Sequence, residues 1–313
     1  MHTAAASPKR AVIVQVIGHS TGPTPGKSAT RCSARRGATR AGHAAVAAVA
    51  CALLGAAPAA RAQEAPARWE VGVLAFGVSQ QAWPGAASQI RRAYPLPYAF
   101  YRGPLLRVDQ ETVGLRAVKT PGFELDLGFA GAFGSRAQDI PARRGMPDLG
   151  TLVEFGPRGT WQLGQTESGT RWQFELPLRG VFDVDARGAA RGLTLEPRLE
   201  ARHADLAGWK VTASAAALLG DARINDTVYG VARSYATPAR PAWEGRAGLV
   251  AWRFTASASR PLAPNWQLFA FARVDDVSGA ANGGSALVER RTGLTAGAGL
   301  RWTFLQSRQS SSP

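Results

Sequence analysis

TGLTAGAGLRWTF, residues 292–304, separates into two unlike faces when the chain is extended. Because successive side chains of a β-strand point to opposite faces, this alternation predicts a strand with one face held away from water. A half-buried strand of a soluble protein would show the same alternation, so the rest of the chain must decide what covers the apolar face. That face comprises Leu294, Ala296, Ala298, Leu300, Trp302 and Phe304, and the opposite face comprises Gly293, Thr295, Gly297, Gly299, Arg301 and Thr303.

The charge of the chain is unevenly distributed. The 313 residues carry a formal charge of +15, but residues 1–62 hold eight Lys and Arg and no acidic residue. The remainder has 29 basic against 22 acidic residues, and no run of Lys and Arg interleaved with aromatic residues follows residue 62. This distribution argues against nucleic-acid binding.

Residues 1–62 have the organisation of a secretory leader. Four arginines precede the apolar run AAVAAVACALLGAAPAA (44–60), and Ala60-Arg61-Ala62 provides an Ala-x-Ala site, so we expect cleavage after Ala62. Acylation at Cys51 is the alternative to this cleavage. Because Cys32 and Cys51 are the two cysteines of the chain, the exported part is predicted to contain no disulfide.

The sequence after residue 62 is a series of predicted strands. It has no apolar run of about 18 residues, and segments of about ten residues with alternating hydrophobicity are separated by Gly, Pro, Asn and Asp, which is typical of a transmembrane β-barrel. We expect the barrel over 63–304 and a polar tail over 305–313. The predicted strands lie near 69–79, 96–118 (interrupted), 123–133, 151–163, 171–183, 191–202, 209–219, 246–258, 266–276 and 292–304.

Two features favour lipid over a soluble sandwich as the surroundings of these strands. The apolar face recurs without companion helices to cover it, and a closed barrel in lipid satisfies all backbone groups without leaving an edge. The connections also alternate between long and short, as in barrels with long outer loops and short periplasmic turns. The long connections are 80–95, 134–150, 220–243 and 277–291, with 184–190 as one shorter link on the same side.

The strand number depends on the segment 95–119. Ten strands follow if this segment makes one crossing with Gly103-Pro104 as a kink, since proline cannot donate to a strand ladder. Twelve strands follow if it makes an additional hairpin. The predicted fold class is therefore all-β, a closed up-and-down antiparallel transmembrane β-barrel, with ten strands favoured and twelve as the alternative.

Aromatic residues mark one end of the predicted barrel. Tryptophan prefers membrane interfaces because its ring is apolar and its N–H is polar. Phe304 ends the last predicted strand, where barrel-assembly machinery reads a terminal aromatic residue. If the chain enters its first strand from the periplasm, six of the nine tryptophans form a periplasmic girdle: Trp69, Trp161, Trp172, Trp209, Trp266 and Trp302.

Charged residues of both signs are predicted to face the inside of the barrel. Isolated charges in a poorly hydrated interior are costly, so pairing across neighbouring strands would fill a narrow barrel with salt bridges. A selective pore lined by the same residues is the alternative. The inward-facing residues are Glu124, Asp126, Glu175, Arg179, Glu196, Arg198, Glu200, Arg202, Lys210, Arg273, Asp275 and Arg301.

The sequence predicts no catalytic, cofactor or metal site. His203, the one histidine after residue 62, lies with Asp205 in a predicted periplasmic turn, whereas a barrel hydrolase would need its nucleophile and base at the outer rim or the lipid-facing wall. The glycines of AGAGL (296–300) lie within a strand rather than at the strand-to-helix turn of a phosphate loop. DVDARGAARG (183–192) lacks the later glutamate of a calcium loop. We expect a protein that is not an enzyme.

Four segments together have the pattern of a known family: PLPYAFYRGPLLRVD (95–109), GDARINDTVYGV (220–231), the segment 240–281 and SALVERRTGLTAGAGLRWTF (285–304). They resemble the MipA/OmpV family of outer-membrane proteins. Within them, Tyr229-Gly230-Val231, Asn265-Trp266 and Leu287-Val288 follow the family's order and spacing.

The resemblance implies a non-enzymatic barrel in the cell outer membrane of a Gram-negative bacterium. It implies a scaffold in murein (peptidoglycan) assembly, with outer-membrane lipid around it and with a lytic transglycosylase and a murein synthase as partners. Other members are linked to envelope stress such as osmotic response, to adhesion or to antibiotic susceptibility. A small-solute channel remains the other function open at this point, as does the question whether loops 134–150 and 220–243 fold inward as plugs.

Overall fold

The structure is almost entirely antiparallel β-sheet. It is a computed structural model and describes residues 67–102, 106–108, 113–132 and 134–309. The predicted leader, with its cleavage site after Ala62 and both cysteines, lies outside the described residues. The strands are β1 (Trp69–Gln81), β2 (Gln89–Arg102), β3 (Leu106–Val108), β4 (Val113–Thr120), β5 (Phe123–Ala132), β6 (Leu152–Gln165), β7 (Thr170–Asp183), β8 (Ala189–Leu195), β9 (Arg198–Leu206), β10 (Trp209–Gly220), β11 (Gly248–Ala263), β12 (Trp266–Asp276) and β13 (Thr292–Gln306).

Helices are confined to the long connections. The α-helix α1 (Ala222–Tyr229) follows β10, and the short 3-10 helices are Ala137–Asp139, Pro141–Arg143 and Arg233–Tyr235. Asp221 caps α1 by accepting a hydrogen bond from the backbone N–H of Ile224 at 2.9 Å, which satisfies one of the free donors of the first turn. Among the described residues, no helix has both the length and the apolar character that crossing a bilayer requires.

Each strand has an antiparallel neighbour on both sides. The order is β11-β12-β13-β1-β2-β3-β4-β5-β6-β7-β8-β10-β9, with β10–β11 and β7–β9 as additional pairs. The first and last strands pair from Ser79 opposite Ala296 to Glu70 opposite Gln306. β13 therefore continues past the predicted boundary at residue 304.

β8 and β9 lie end to end between β7 and β10, where one strand over 191–202 was predicted. Both segments pair with β7 and with β10. The interruption falls at Pro197, which has no N–H to donate and so breaks the ladder. Two backbone hydrogen bonds stabilise the interruption. The backbone N–H of Glu196 donates to the carbonyl of Pro177, and the backbone N–H of Ala217 donates to the carbonyl of Pro197, each at 3.1 Å.

The favoured count of ten strands does not agree with the structure of the segment 95–119. Instead of making one crossing, the described chain there reverses direction twice through β2, β3 and β4, which pair antiparallel in succession. The prediction was wrong because a Gly-Pro sequence favours a turn as readily as a kink. The additional hairpin is the one that the twelve-strand alternative assumed.

The two faces of the sheet have inverted polarity. On one face large apolar side chains are exposed, for example Leu300 by 37% and Trp302 by 42%. On the other face charged side chains are buried, with Glu175 only 3% and Asp275 only 2% exposed. Soluble proteins rarely bury charges and rarely expose extended apolar surface, so the exposed face is suited to apolar surroundings.

A separate apolar core joins four of the long connections. It contains eight buried residues: Trp83, Ala86, Ile140, Met146, Tyr229, Val231, Val250 and Leu287. The Trp83 Nε1–H donates to the carbonyl of Leu287, and the Tyr229 hydroxyl donates to that of Pro84, both at 2.9 Å. The loops 82–88, 134–151, 221–247 and 277–291 thus fold against one another at one end of the sheet.

Candidate functional site

An ion-pair network extends over the buried polar face from β6 to β12. It links five carboxylates with five guanidinium groups, so the charges balance. This balance compensates the cost of burying charges, because each group has at least one partner of opposite sign. The network consists of Glu154, Glu175, Glu196, Glu200, Asp275, Arg179, Arg198, Arg202, Arg253 and Arg273.

Glu196 lies at the centre of this network. Its carboxylate is 2.7 Å from a guanidinium nitrogen of Arg198 and 3.6 Å from those of Arg179 and Arg253. Ala216 of β10 is opposite Arg198 of β9 on one side and opposite Arg253 of β11 on the other. Because the alanine side chain is short, Arg253 reaches Glu196 across β10.

The pair of Asp126 and Arg158 lies outside the network. The two residues are opposite each other on β5 and β6. The guanidinium donates from Nε to one carboxylate oxygen at 3.0 Å and from Nη2 to the other at 2.6 Å. Such a two-point contact fixes the geometry as well as the charge.

Arg301 of β13 lies on the buried polar face beside β1. It is 3.7 Å from the carboxylate of Glu70. Its guanidinium lies over the rings of Tyr98 and Phe100, at 5.8 and 5.5 Å from their centroids, within the range of cation–π attraction. The Tyr98 hydroxyl is in turn 2.5 Å from that of Thr303.

Eight of the twelve residues predicted to face inward belong to the network, namely Glu175, Arg179, Glu196, Arg198, Glu200, Arg202, Arg273 and Asp275. Asp126 and Arg301 form the two pairs just described. Glu124 is half-buried, and Lys210 is exposed at the start of β10.

Sequence reasoning missed several charged residues of the buried face. Among the described residues they include Glu70, Glu154, Arg158 and Arg253. The signal for Arg253 was present, because it alternates with Trp252 and Phe254, whose side chains are exposed.

Part of the interior face is aromatic rather than charged, which the sequence did not indicate. Phe269, Gly299, Phe76 and Tyr94 are neighbours in register across β12, β13, β1 and β2. A Cβ atom at Gly299 would come within 2.6 Å of the Phe269 ring and 2.7 Å of Phe76 Cβ. The glycine therefore leaves the space in which these side chains lie against the wall.

The six tryptophans of the predicted girdle all lie within five residues of a strand end, opposite the long loops. Five of them are exposed, and the rings of Trp266 and Trp302 stack at 5.7 Å. Phe304 is exposed beside Trp302. Trp209 differs, since it is only 9% exposed. The guanidinium of Arg260 lies 5.7 Å from the centre of its ring, so a neighbouring side chain covers it.

Two ionisable side chains connect the apolar loop core to its surroundings. Arg143 is buried and donates to the carbonyl of Val228 at 3.0 Å; burial and the nearby Arg240 lower its pKa to about 10. Burial, with a smaller contribution from Asp275, raises the pKa of Tyr229 above its usual value.

His203 has the surroundings of a structural side chain. Its Nδ1 is 3.0 Å from the Thr170 hydroxyl and its Nε2 is 3.1 Å from the carbonyl oxygen of Asp205. Neither of these two contacts comes from a carboxylate that could orient the imidazole as a base, since the Asp205 carboxylate accepts from the backbone N–H of Gly208 instead. Across the described ranges, no group of three His, Cys, Asp or Glu side chains is placed to hold a metal ion.

The sequence over residues 71–304 matches the family described as MltA-interacting protein MipA. The chain belongs to the MipA family. The network from Glu154 to Asp275, the aromatic wall and the loop core all lie within this MipA region. A search of the curated proteins finds no match to the chain.

Solved structures similar to this MipA-family chain include the NanC porin (9% identity, 74% of this chain and 98% of the porin, TM-score 0.36). They also include outer membrane phospholipase A from Escherichia coli (11%, 74% and 92%, 0.33). A third is an outer membrane channel from Pseudomonas putida F1 (11%, 79% and 100%, 0.34). At such TM-scores these likenesses carry no inference about what the MipA-family chain binds or does.

Proposed function

We propose that this MipA-family protein is a non-enzymatic β-barrel of the bacterial outer membrane that acts as a scaffold in murein assembly. The inverted polarity of the sheet carries the proposal. Exposed leucine, phenylalanine and tryptophan side chains opposite buried carboxylates are the arrangement expected of a wall with lipid outside and a polar interior. In this proposal, residues 1–62 are the leader that directs export and is removed after Ala62.

The strand pairing supports a closed barrel of twelve crossings. β8 and β9 together make one crossing, and the β1–β13 and β10–β11 pairs leave each strand with neighbours on both sides. An even number of crossings puts both ends of the wall on one side, with the loops of the apolar core outside the cell. The wall then covers 69–306, with a short polar tail after it.

The ion-paired polar face supports a scaffold over a transporter. The balanced network around Glu196 occupies part of this face, and the loop core lies at one end of the sheet. In this proposal the paired side chains fill the barrel and the loops cover its outer end, which leaves little function as a pore. The outer surface of the barrel and its two ends then remain as the places where partner proteins can bind. The name of the family, MltA-interacting protein, supports the lytic transglycosylase MltA as one partner, and the family resemblance adds a murein synthase.

A small-solute channel is the second candidate, and one observation favours it. The side chains of Arg202 and Arg273 retain 33% and 31% of their accessible surface although they face inward. Water therefore reaches part of the network, and a mixed-charge passage of this kind would select among small ions.

Two measurements on the purified mature protein test the proposal. Folded protein should migrate differently before and after boiling and should require detergent; a stable monomer without detergent would refute the barrel. In a planar bilayer, the scaffold predicts no steady current and retention of a lytic transglycosylase on immobilised protein. Steady conductance without such retention would favour the channel.

A further inference from the structure

The charged residues of the loop end fall into two groups. Four exposed carboxylates accept hydrogen bonds from backbone N–H groups of the protein. Asp148 accepts from Ala137 at 2.6 Å, and Glu289 accepts from Ala87 at 3.0 Å. Asp185 and Asp226 act in the same way toward Thr151 and Gly245.

Of the residues that the structure describes, two arginines at the same end of the sheet make no side-chain hydrogen bond or ion pair of this kind. Arg91 and Arg290 are exposed, and within the described part of the chain neither guanidinium makes a hydrogen bond or an ion pair. The exposed Arg92 donates to the carbonyl of Arg91 at 3.3 Å, which adds a further positive charge beside it. The structure thus leaves the guanidinium groups of Arg91 and Arg290 available to a ligand from outside.

Backbone contacts bring the segments that carry these arginines together. The backbone N–H groups of Glu289 and Arg290 donate to the carbonyl of Gly85 at 2.8 and 2.9 Å. Gly85 belongs to the loop that leads into β2, where Arg91 is the third residue. The Gln89 side chain donates to the carbonyl of Leu294 at 3.1 Å. The loops before β2 and before β13 are therefore joined beside β1.

A flat apolar panel lies below Arg91 on the same outward face. Ala93 and Pro95 of β2 are exposed and are opposite Gly77 and Ala75 of β1, and Ala298 of β13 is opposite Gly77 on the other side. The panel spans three strands, roughly 10 to 15 Å. Small side chains make this part of the wall smooth.

We propose that the cationic rim formed by Arg91 and Arg290 and the apolar panel below it bind the phosphorylated glycolipid of the outer leaflet. Guanidinium groups bind phosphate through two parallel hydrogen bonds, and the panel below them accommodates several straight acyl chains side by side. The inference rests on the proposed function, because the loop end must face the outer leaflet. Arg91 and Arg290 take the phosphate groups, and the panel of Ala75, Gly77 and Ala298 takes the chains.

Native mass spectrometry of the detergent-purified protein tests this site. The probes are bisphosphoryl lipid A, the same lipid without phosphates, phosphatidylglycerol and inorganic phosphate. Bisphosphoryl lipid A should bind tightest, and Arg91→Gln with Arg290→Gln should weaken it about a hundredfold, tenfold for each lost charge-assisted contact. Lysine at both positions should weaken it less, since charge remains without the two-point contact.

Arg136→Gln with Arg233→Gln is the matched control. It removes two exposed arginines of the loop end away from the panel and should leave binding within about twofold. An equal loss in the control would overturn the site in favour of general charge attraction. If phosphatidylglycerol bound as tightly as bisphosphoryl lipid A, the assignment of a glycolipid would be overturned. If inorganic phosphate bound as tightly, the assignment of a lipid-binding surface would be overturned. Heat-dependent gel mobility of each variant reports insertion separately, so failure of the barrel is distinguished from failure of this site.

Discussion

Arginine substitution at two positions of β13 tests whether lipid surrounds the wall. Leu294 and Leu300 lie on the same face and are exposed by 43% and 37%. In a protein surrounded by water, either substitution would change stability by less than about 0.5 kcal/mol. Six residues separate the two positions, which for a strand tilted by about 40° gives roughly 16 Å of difference in depth. Leu300 lies near the middle of the strand, and Leu294 lies two residues from its end at the loops.

Leu300→Arg should therefore destabilise the folded protein by about 2 to 4 kcal/mol, and Leu294→Arg by about 0 to 1 kcal/mol. The difference corresponds to roughly thirtyfold in the folding equilibrium. The assay is urea-dependent folding into phospholipid vesicles, followed by tryptophan fluorescence and by the heat-dependent band on gels. Equal and small effects at the two positions would refute a lipid-facing wall. Equal and large effects would refute the assignment of depth.

Three further substitutions test the interior and the loops. Glu196→Gln should cost about 3 kcal/mol, because three buried guanidinium groups lose a shared carboxylate. Glu154→Gln, with one ion pair at 3.5 Å and one hydrogen bond from Thr194 at 3.4 Å, should cost about 1 kcal/mol or less; similar losses in chemical unfolding would contradict a central role of Glu196. Burial raises the pKa of Tyr229 in the folded state. The stability that this side chain contributes is therefore complete below about pH 10 and is lost as the pH rises through the raised value. Tyr229→Phe should remove this part of the decline in the free energy of unfolding between pH 9 and 11, and parallel curves of that free energy against pH for the two proteins would contradict it. Leu287→Ala should cost the loop core about 2 to 5 kcal/mol and make the loops sensitive to protease while the heat-dependent band persists; loss of that band would show that the loops and the wall are one unit.

The face of the sheet to which each side chain points could be predicted from the sequence, because successive residues of a strand alternate between its two faces. The alternation over 193–202 predicted which residues share a face. In the structure Glu196 and Glu200 are buried, and Leu193 and Leu199 are exposed. The tryptophans were likewise placed at strand ends from their spacing alone. These inferences needed no knowledge of which strands are neighbours.

Features that depend on contacts between distant segments could not be predicted. The approach of Arg253 to Glu196 requires the register of β9, β10 and β11 and a small residue between them. The loop core requires Trp83 to meet Leu287, 204 positions later in the chain. The sequence of the helix α1 was instead taken as part of a long loop, because an eight-residue amphipathic segment gives only a short periodic signal.

The hairpin of β2 and β3 was predicted only as the alternative, for a different reason. Local sequence at 103–104 is compatible with a turn and with a kink, and only the pairing partner separates the two. The choice depends on whether the next apolar segment pairs back on the first, which is a property of the sheet as a whole.

The pairing of β1 with β13 has a consequence for how the wall is made. Its ten register positions join segments more than 200 residues apart, and loop-closure entropy makes such a contact late in folding. Until β13 arrives, β1 and β12 each present a row of unsatisfied amide and carbonyl groups to neighbouring molecules. A chain cut short before residue 292 would therefore lose one strand and would also expose two unpaired strand edges, on β1 and on β12. Aggregation of such truncated chains would be the first sign of interrupted synthesis.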